Sequence, residues 1–492
     1  MSPLDLLVVA PLVFMVLSLL AGGWQRSLLA LAIATMAALS VWLMTLDPGT
    51  AHVVGGWELP LGVLLRADGL AQMLVPAVTL TAGLTGLYAL HQFAPESHAS
   101  NAQTAAFWPL YYLMWSAANA AFLTTDLFNL YVTLEMASIA AVAMAAMGSV
   151  RAALRYLLIA LLGSIFYLLG VALILSRYGT GDVTLLAGMA EADFATALAL
   201  ALMTGGLLVK AALFPLHGWL PPAHAAAPAP ASALLSGLVV KIGFVITVRL
   251  WFEGLAAAAT PAGLHVLGGI GALAILFGSL QAIRQESLKA LVAYSTVAQI
   301  GYLFLAFPLI AGAGHAWAGL SLHAVAHMIA KAAMFLAAGL MLKAAAGPRI
   351  ADLAGLARAM PLTVTAFGLA AVSLMGLPPS GGFSAKFLLV DAALRQGQAI
   401  HAAVMLIGGL LAAVYLFHPL AVAFSGSETP VVPPKAPSMV AAPLALALAA
   451  LLLGFAGGPL ADLATGGAPA TVAPEPLPAL EDTVETASED EQ

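Results

Sequence analysis

The chain has 492 residues, of which 62% are hydrophobic and only 8% are charged. Soluble domains carry about 25% charged and about 45–50% apolar residues, so this composition excludes a soluble globular protein and a disordered one. The formal net charge of −6 comes largely from a tail with eight acids beyond residue 458, and it indicates no nucleic-acid partner. The absence of cysteine excludes disulfides, thiolate metal sites and iron–sulfur clusters bound by this chain.

Apolar runs of about 20 residues, the length of a bilayer-spanning helix, follow one another along the chain. Alternating segments of about ten residues, typical of a membrane barrel, are not seen. The sequence therefore predicts an all-α polytopic membrane protein with about 14 transmembrane helices. The predicted spans, numbered 1 to 14, are 4–22, 27–46, 68–90, 107–124, 128–147, 154–177, 194–214, 229–252, 263–283, 290–311, 316–343, 361–390, 399–424 and 437–458.

Orientation follows from the distribution of Lys and Arg among the loops, because cytoplasmic loops carry the excess. Nine basic residues lie in loops on one side: Arg26, Arg151, Arg155, Arg284, Lys289, Lys343, Arg349, Arg358 and Lys435. Four lie in loops on the other side: Arg66, Arg177, Arg249 and Arg395. We therefore expect both termini to lie outside the cell.

Five ionisable residues fall within apolar spans, where each charge costs about 2.5–3.5 kcal/mol on insertion scales. They are Glu135, Lys210, Lys241, Lys331 and Lys386. One carboxylate and one lysine would suit a structural ion pair between two helices. Four lysines, each in its own span, instead favour a proton relay, because burial brings a lysine toward the range in which it loads and releases a proton.

Two histidines extend this pattern in span 11. His323, His327 and Lys331 are spaced i, i+4 and i+8, so they share one helical face. Histidine can accept a proton on one ring nitrogen and release it from the other. The spacing also suits a metal site, but no acidic residue lies between the two histidines as in H-E-x-x-H, so a metal is not expected.

Two segments interrupt the helical pattern. Pro215, Pro221 and Pro222 follow Lys210 in span 7, and Pro378-Pro379 precede Lys386 in span 12. Proline removes a backbone donor, and freed backbone groups inside a membrane must be satisfied by protein or by water in a cavity. Broken helices in corresponding positions of two halves indicate a transport pathway. An ordinary loop and a packing kink remain the alternatives for the individual breaks.

Several long motifs in this order resemble one known family. They are DLFNLYVTLEM, KAALFPLHGWLPPAHAAAPAPASALLSGLVVKIG, RQESLKALVAYSTVAQIGY, HAVAHMIAKAAMFL and GLPPSGGFSAKF. They are similar to the antiporter-like subunits shared by respiratory complex I, membrane-bound hydrogenases and the multi-subunit Mrp-type sodium/proton antiporters. The resemblance covers residues 107–425 and is strongest to the D subunit of the Mrp antiporters.

The resemblance implies fourteen helices with two inverted five-helix repeats, spans 4–8 and 9–13, in which helices 7 and 12 are broken. The corresponding domains are 1–106 (helices 1–3), 107–252 (the first proton-channel half), 253–425 (the second half), 426–458 (helix 14) and 459–492 (a disordered acidic tail). It also implies roles for individual residues. Glu135 pairs with Lys210, Lys241 is the central lysine, His323, His327 and Lys331 bridge the halves, and Lys386 is the terminal group.

We therefore expect a proton-translocating subunit of an Mrp-type antiporter that exchanges a monovalent cation such as Na⁺ for H⁺. Its partners would be other hydrophobic subunits and the lipid bilayer of a bacterial or archaeal plasma membrane, with no cofactor on this chain. The alternatives are a proton-pumping subunit of a redox-driven complex I or hydrogenase-type assembly, and a solute carrier of the twelve-span kind. Weaker candidates for proton uptake or helix anchoring are Asp126, Asn129, Arg151, Arg155 and Asp391.

Overall fold

A computed structural model describes residues 2–20, 22–94, 100–310, 313–345, 347–426 and 436–472. Each of the fourteen predicted spans corresponds to helix in these ranges, which confirms the all-α polytopic fold. The helices are Pro3–Leu20, Gln25–Leu43, Gly69–Gln92, Asn101–Leu123, Leu127–Ala146, Val150–Tyr178, Phe194–Lys210 with Leu220–Ala226, Ala229–Gly254, Pro261–Ile283, Leu288–Ile310, Gly314–Ala344, Pro361–Met375 with Gly381–Arg395, Ala399–Phe424 and Pro437–Thr465.

Eleven helices of the described residues are long and apolar enough to cross a membrane. Spans 4, 7 and 12 are not among them. Spans 7 and 12 are broken, which leaves first halves of 17 and 15 residues. The interruptions predicted from the prolines after Lys210 and from Pro378-Pro379 are confirmed, since helical structure is broken at residues 211–219 and 376–380.

Side chains at the helix starts explain why several spans begin where they do. Asp68 accepts a hydrogen bond from the backbone N–H of Ala71 at the start of span 3, and Asp126 accepts one from Asn129 at the start of span 5. Ser380 likewise caps the second half of span 12. Such caps satisfy backbone donors that have no partner within the helix.

Two elements differ from the sequence-based expectation. Strands Thr50–Val54 and Val63–Ala67 form an antiparallel hairpin between spans 2 and 3, where no element was predicted. The disordered tail was predicted to begin at residue 459, but span 14 continues as helix to Thr465. This extension is held in place because Trp317 donates a hydrogen bond to the carbonyl oxygen of Ala464 at 2.8 Å. The rest of the predicted tail, from residue 473, lies outside the described residues.

The centre of the molecule consists of the spans that carry buried charge. Spans 8, 10 and 11 are 100%, 89% and 94% buried over their most apolar stretches, whereas spans 1, 2, 13 and 14 are about one-third buried. Lys241 lies on span 8, and His323, His327 and Lys331 lie on span 11. The ionisable residues of these spans are therefore enclosed by protein and do not face lipid.

One backbone contact recurs in both predicted halves. The start of span 5 pairs with the segment after span 6 through Asp126 and Asp182, and the start of span 10 pairs with the segment after span 11 through Ser287 and Arg349. Spans 5 and 10 begin at opposite ends of the bundle, so the contact occurs at opposite ends of the molecule. This is the relation that two inverted repeats produce.

Arg249 was assigned to a loop, and this assignment was wrong. Span 8 continues to Gly254, and Arg249 is 1% exposed within it. Its guanidinium donates to Asp68 at 2.8 Å and to the carbonyl oxygen of Phe122 at 2.8 Å, while Arg66 bonds both Asp68 and Glu253. Burial alone would raise the pKa of Asp68, but the two guanidiniums outweigh this effect and hold it below the usual range. The counter-charge of Asp68 allows Arg249 to be buried.

We expect Asp68→Asn to destabilise the protein by about 3–5 kcal/mol, because it removes the nearer carboxylate from the buried Arg249 and leaves Glu253 alone to face two guanidiniums. Chemical unfolding of the detergent-solubilised full chain measures this change. The matched control is Asp391→Asn, which removes the more exposed Asp391–Arg395 pair and should cost about 0–1 kcal/mol. Equal effects of the two substitutions would show that the buried pair is not a stabilising contact.

Candidate functional site

Glu135 of span 5 and Lys210 of span 7 form an ion pair. The Lys210 Nζ lies 2.8 Å from Glu135 Oε1, and the two side chains are 1% and 17% exposed. Ser138 accepts a second hydrogen bond from Lys210 at 2.9 Å, and Ser164 of span 6 donates to Glu135. The predicted pair is therefore formed, with a hydroxyl group on each charged partner.

Two glycines allow spans 6 and 7 to approach closely beside this pair. A Cβ atom on Gly206 would lie 2.3 Å from the carbonyl oxygen of Gly163, which is too close for any side chain. Gly163 precedes Ser164, and Gly206 lies one turn before Lys210. The backbone contact thus brings the hydroxyl and the amine to the same carboxylate.

The break in span 7 leaves Lys210 at the C-terminal end of its helix. The partial negative charge at a helix C-terminus favours an ammonium group. Ala212 follows with a φ of 53°, a left-handed conformation that L residues seldom adopt, and the helix cannot continue. Trp219 donates its indole N–H to the carbonyl oxygen of Val209 at 2.8 Å and so satisfies a group freed by the break.

Lys241 is placed by a π-helical turn in span 8. The turn, Leu235–Val239, frees the carbonyl oxygen of Ser236, which accepts a hydrogen bond from Lys241 Nζ at 2.8 Å. Lys241 Nζ also bonds Nδ1 of His327. On the same helix, Gly243 packs against Lys210, since a Cβ atom there would lie 3.3 Å from Lys210 Cβ. Span 8 therefore joins the ion pair to the centre of the molecule.

Histidine and tyrosine rings continue the row toward span 12. The rings of His327 and His323 are stacked with centroids 6.0 Å apart, and the Tyr302 ring lies 5.5 Å from that of His323. The amine of Lys386 lies 4.2 Å from the centroid of the Tyr302 ring, a cation–π distance. These contacts place the two histidines between Lys241 of span 8 and Lys386 of span 12.

Lys386 follows the break in its helix, whereas Lys210 precedes the break in its own. It lies in the second half of span 12 and reaches back to the end of the first half, where it donates to the carbonyl oxygens of Leu374 at 2.7 Å and Met375 at 3.3 Å. The two breaks therefore do not present their lysines from equivalent positions. What they share is an amine at the C-terminal end of a half-helix.

Lys331 points to span 10. Its amine donates to the carbonyl oxygen of Val292 at 3.0 Å and to the hydroxyl of Ser295. Within the described ranges, Lys241, Lys331 and Lys386 make no ion pair with any acid. Their amines contact neutral oxygens and aromatic rings instead. Among the described residues, Lys210 is therefore the one lysine of the four that contacts a carboxylate, that of Glu135.

We call the seven predicted residues the charged row: Glu135, Lys210, Lys241, His327, His323, Lys331 and Lys386. The row crosses spans 5, 7, 8, 11 and 12, so the predicted residues are brought together by the fold. Each member can gain or lose a proton. Lys210 bonds Glu135, Lys241 bonds His327, the rings of His327 and His323 stack, and Tyr302 lies between His323 and Lys386. Lys210 and Lys241 are linked through the packing of span 8 at Gly243, and Lys331 bonds span 10. Groups that bind and release protons, placed along such a path, suit proton transfer.

Three further residues belong to this region and were missed in the sequence. Tyr302 and Gln299 of span 10 contact the row, since the backbone oxygen of Gln299 lies 3.2 Å from His323 Nε2. His224 is fully buried and stacked on Phe335, and neither of its ring nitrogens has a hydrogen-bond partner among the described residues. Polar residues inside otherwise apolar spans are the signal that would have found Gln299 and Tyr302.

The weaker candidates lie away from the row. Asp126 and Asn129 bond each other at the start of span 5 and anchor that helix. Arg151 and Arg155 are exposed at the start of span 6, and Asp391 pairs with Arg395 on the surface of span 12. No group of three or more His, Asp or Glu side chains able to hold a metal ion occurs in the part of the chain that the structure describes.

Known proteins resemble this chain over most of its length. NADH-quinone oxidoreductase subunit N of Desulforudis audaxviator is 39% identical over 400 residues, which cover 79% of each chain. The D subunit of the Na(+)/H(+) antiporter of Alkalihalophilus pseudofirmus is 32% identical over 415 residues, 82% of each chain. A chain in the structure of the Mrp complex from Dietzia sp. DQ12-45-1b is 26% identical, with a TM-score of 0.86 over 95% of this chain and 98% of that one.

Residues 124–412 match the family described as NADH:quinone oxidoreductase/Mrp antiporter, TM. This region contains every member of the charged row and both broken helices. Family membership, with the Mrp and complex I subunits among its relatives, leaves no support for the solute-carrier alternative. The chain therefore belongs to this family of antiporter-like, proton-translocating subunits, which work with other hydrophobic subunits in multi-subunit membrane assemblies of the Mrp or complex I type.

Proposed function

We propose that this chain translocates protons through the charged row as a subunit of an Mrp-type antiporter that exchanges a monovalent cation such as Na⁺ for H⁺. The observation that carries the proposal is the Glu135–Lys210 ion pair at one end of a row of buried amines and imidazoles. A purely structural role does not require buried lysines without acidic partners, because each one is costly inside a membrane.

The ion pair acts as the switch. While Glu135 contacts Lys210, the carboxylate stabilises the charged amine. When the two separate, Lys210 remains buried without a counter-charge, and its affinity for a proton falls. The released proton moves toward Lys241, which lies on the helix that packs against Lys210. Charge then shifts along His327 and His323 to Lys386.

The two ends of the row differ in chemistry. The Glu135 end has a carboxylate, whereas the Lys386 end has carbonyl oxygens and the Tyr302 ring. A charge added at one end changes the free energy needed to protonate the next amine, because Coulombic interactions in a low-dielectric interior are strong. Movement of the cation in a partner protein of the assembly would be coupled to protons in this way.

We expect Glu135→Gln and Lys210→Ala each to reduce cation-dependent proton transport by at least about tenfold, a loss of ~1.4 kcal/mol or more in transition-state stabilisation. Lys210→Arg should be equally defective, because a guanidinium keeps the positive charge but does not release a proton. Dye-monitored ΔpH in inverted membrane vesicles after a Na⁺ pulse measures the transport.

The control for this experiment is Arg284→Lys, an exchange of cations outside the row, which should leave transport unchanged. Immunoblotting of the purified assembly establishes that each variant is incorporated. Wild-type transport by an incorporated Lys210→Ala variant would remove the switch from the mechanism, and normal transport by Lys210→Arg would show that charge alone suffices.

A proton-pumping subunit of a complex I-type assembly is the second candidate. The 39% identity to a subunit N of NADH-quinone oxidoreductase favours it. The TM-score of 0.86 with a chain of the Mrp complex and the 32% identity to an antiporter D subunit favour the Mrp-type proposal. Both candidates use the same charged row. They differ in the energy source for proton movement, which is a cation gradient in the first and a redox reaction in the second.

Purification of the tagged chain from its own membranes separates the two candidates. For an Mrp-type antiporter we expect small hydrophobic subunits to copurify, together with transport driven by a Na⁺ gradient alone. Copurifying iron–sulfur proteins and transport that requires an electron donor would instead establish the redox-driven assembly. This chain has no cysteine of its own, so an iron–sulfur signal would come from partners.

We also propose a plasma-membrane location with both termini outside the cell. Ala192→Cys lies in a predicted outer loop and Ala359→Cys in a predicted inner one, and both positions are exposed. Because the chain has no native cysteine, a membrane-impermeant maleimide on intact cells should label only the first variant. Both should react after permeabilisation, and the reverse pattern on intact cells would invert the topology.

A further inference from the structure

A cavity of about 290 Å³ lies at the end of the bundle where spans 3 and 11 end and spans 8 and 10 begin. Its lining includes Lys289, Lys343, Ser287, Gln92 and Pro228. None of its described lining residues is acidic. It is separate from the charged row, since no member of the row lines it.

The two lysines of this cavity carry charge that the protein does not neutralise. Lys289 donates one hydrogen bond to the carbonyl oxygen of Ala227 at 2.7 Å, and Lys343 donates one to Gln92 at 3.1 Å. Neither forms an ion pair with an acid within the described ranges. Each ammonium group has three N–H donors, so most of their donors remain available. The two like charges also repel one another.

Two helix N-termini add positive potential to the same cavity. Span 8 begins directly after Pro228 and span 10 directly after Ser287, and both of these residues line the wall. The side chain of Ser287 makes no capping hydrogen bond, and the side chain of Pro228 has no group that could make one. Backbone N–H groups and the helix dipole at such ends favour an anion.

We propose that this cavity, which we call the inner lysine pocket, binds a phosphate-type oxyanion through Lys289, Lys343 and the N-termini of spans 8 and 10. The shared chemistry is a tetrahedral oxyanion with at least one negative charge. Its source is the phosphodiester of an anionic phospholipid or free inorganic phosphate. Basic pockets between transmembrane helices at the cytoplasmic side are suited to lipid headgroups.

Occupancy of the inner lysine pocket would act on the row through one short helix. Lys289 holds the carbonyl oxygen of Ala227, the residue that ends the half-helix Leu220–Ala226 of span 7. That half-helix carries the buried His224, whose ring stacks on Phe335 of span 11, one turn after Lys331. The pocket is thereby connected by direct contacts to the helix that carries Lys331.

The test is equilibrium binding by the purified full-length chain in a neutral detergent. The probes are a fluorescent short-chain phosphatidylglycerol, its phosphatidylcholine counterpart and inorganic phosphate as competitor. The variant is Lys289→Gln/Lys343→Gln. The matched control is Arg284→Gln/Arg358→Gln, which removes two cations predicted at the same end but outside the pocket. Lys289→Arg/Lys343→Arg retains the charge.

We expect the glutamine variant to bind phosphatidylglycerol at least about tenfold more weakly than the wild type, a loss of ~1.4 kcal/mol. The arginine variant and the control should bind as the wild type does, and phosphatidylcholine should bind weakly to all. Competition by inorganic phosphate identifies the free anion as a ligand, whereas its absence identifies the lipid.

Equal phosphatidylglycerol binding by the wild type and the glutamine variant would overturn the proposal, as would equal loss in the control. If the double variant does not fold, Lys343→Gln alone serves instead, because Lys343 is exposed and its removal leaves Lys289 bonded to Ala227. This readout is binding and not transport, so its result is independent of the proposed antiport.

Discussion

An ammonium group inside a membrane protein must be solvated by the protein itself, and this constraint explains most of the irregular structure in this chain. Glu135 neutralises Lys210, but the other buried lysines of the row rely on carbonyl oxygens. A π-turn exposes the carbonyl of Ser236 to Lys241, and the break in span 12 exposes those of Leu374 and Met375 to Lys386. These two departures from α-helix geometry thus occur where charge is stabilised without a counter-ion.

This mode of solvation suits a relay. A lysine held by a carboxylate keeps its proton, whereas a lysine held by neutral dipoles is stabilised less and releases it more readily. The row contains both kinds, with the ion pair at one end and the dipole-solvated amines beyond it. His323 and His327 stand between Lys241 and Lys386, where a group that exchanges protons on either ring nitrogen is required.

Charge outside the row is separated toward the two ends of the bundle. At one end, Arg66, Asp68, Arg249 and Glu253 form a neutral buried network that connects the hairpin with spans 3 and 8. At the other end, Lys289 and Lys343 line a cavity with no acid among its described residues. The first network satisfies its own charges and stabilises the fold. The cavity leaves positive charge on Lys289 and Lys343 that an external anion can neutralise, and we therefore propose that it binds a ligand.

The sequence by itself determined the number and order of the spans and the ionisable residues of the charged row, because hydrophobic length and isolated charges are local properties. Proline clusters also located both breaks. Tertiary structure alone decided how these residues are satisfied. That Arg249 is buried depends on Asp68, 181 residues earlier in the chain. The contacts of Lys241 with His327, of Lys386 with Tyr302 and of span 14 with Trp317 likewise join distant segments. Such contacts leave no periodic signal in sequence, since they arise only when the packing of helices fixes distances between side chains.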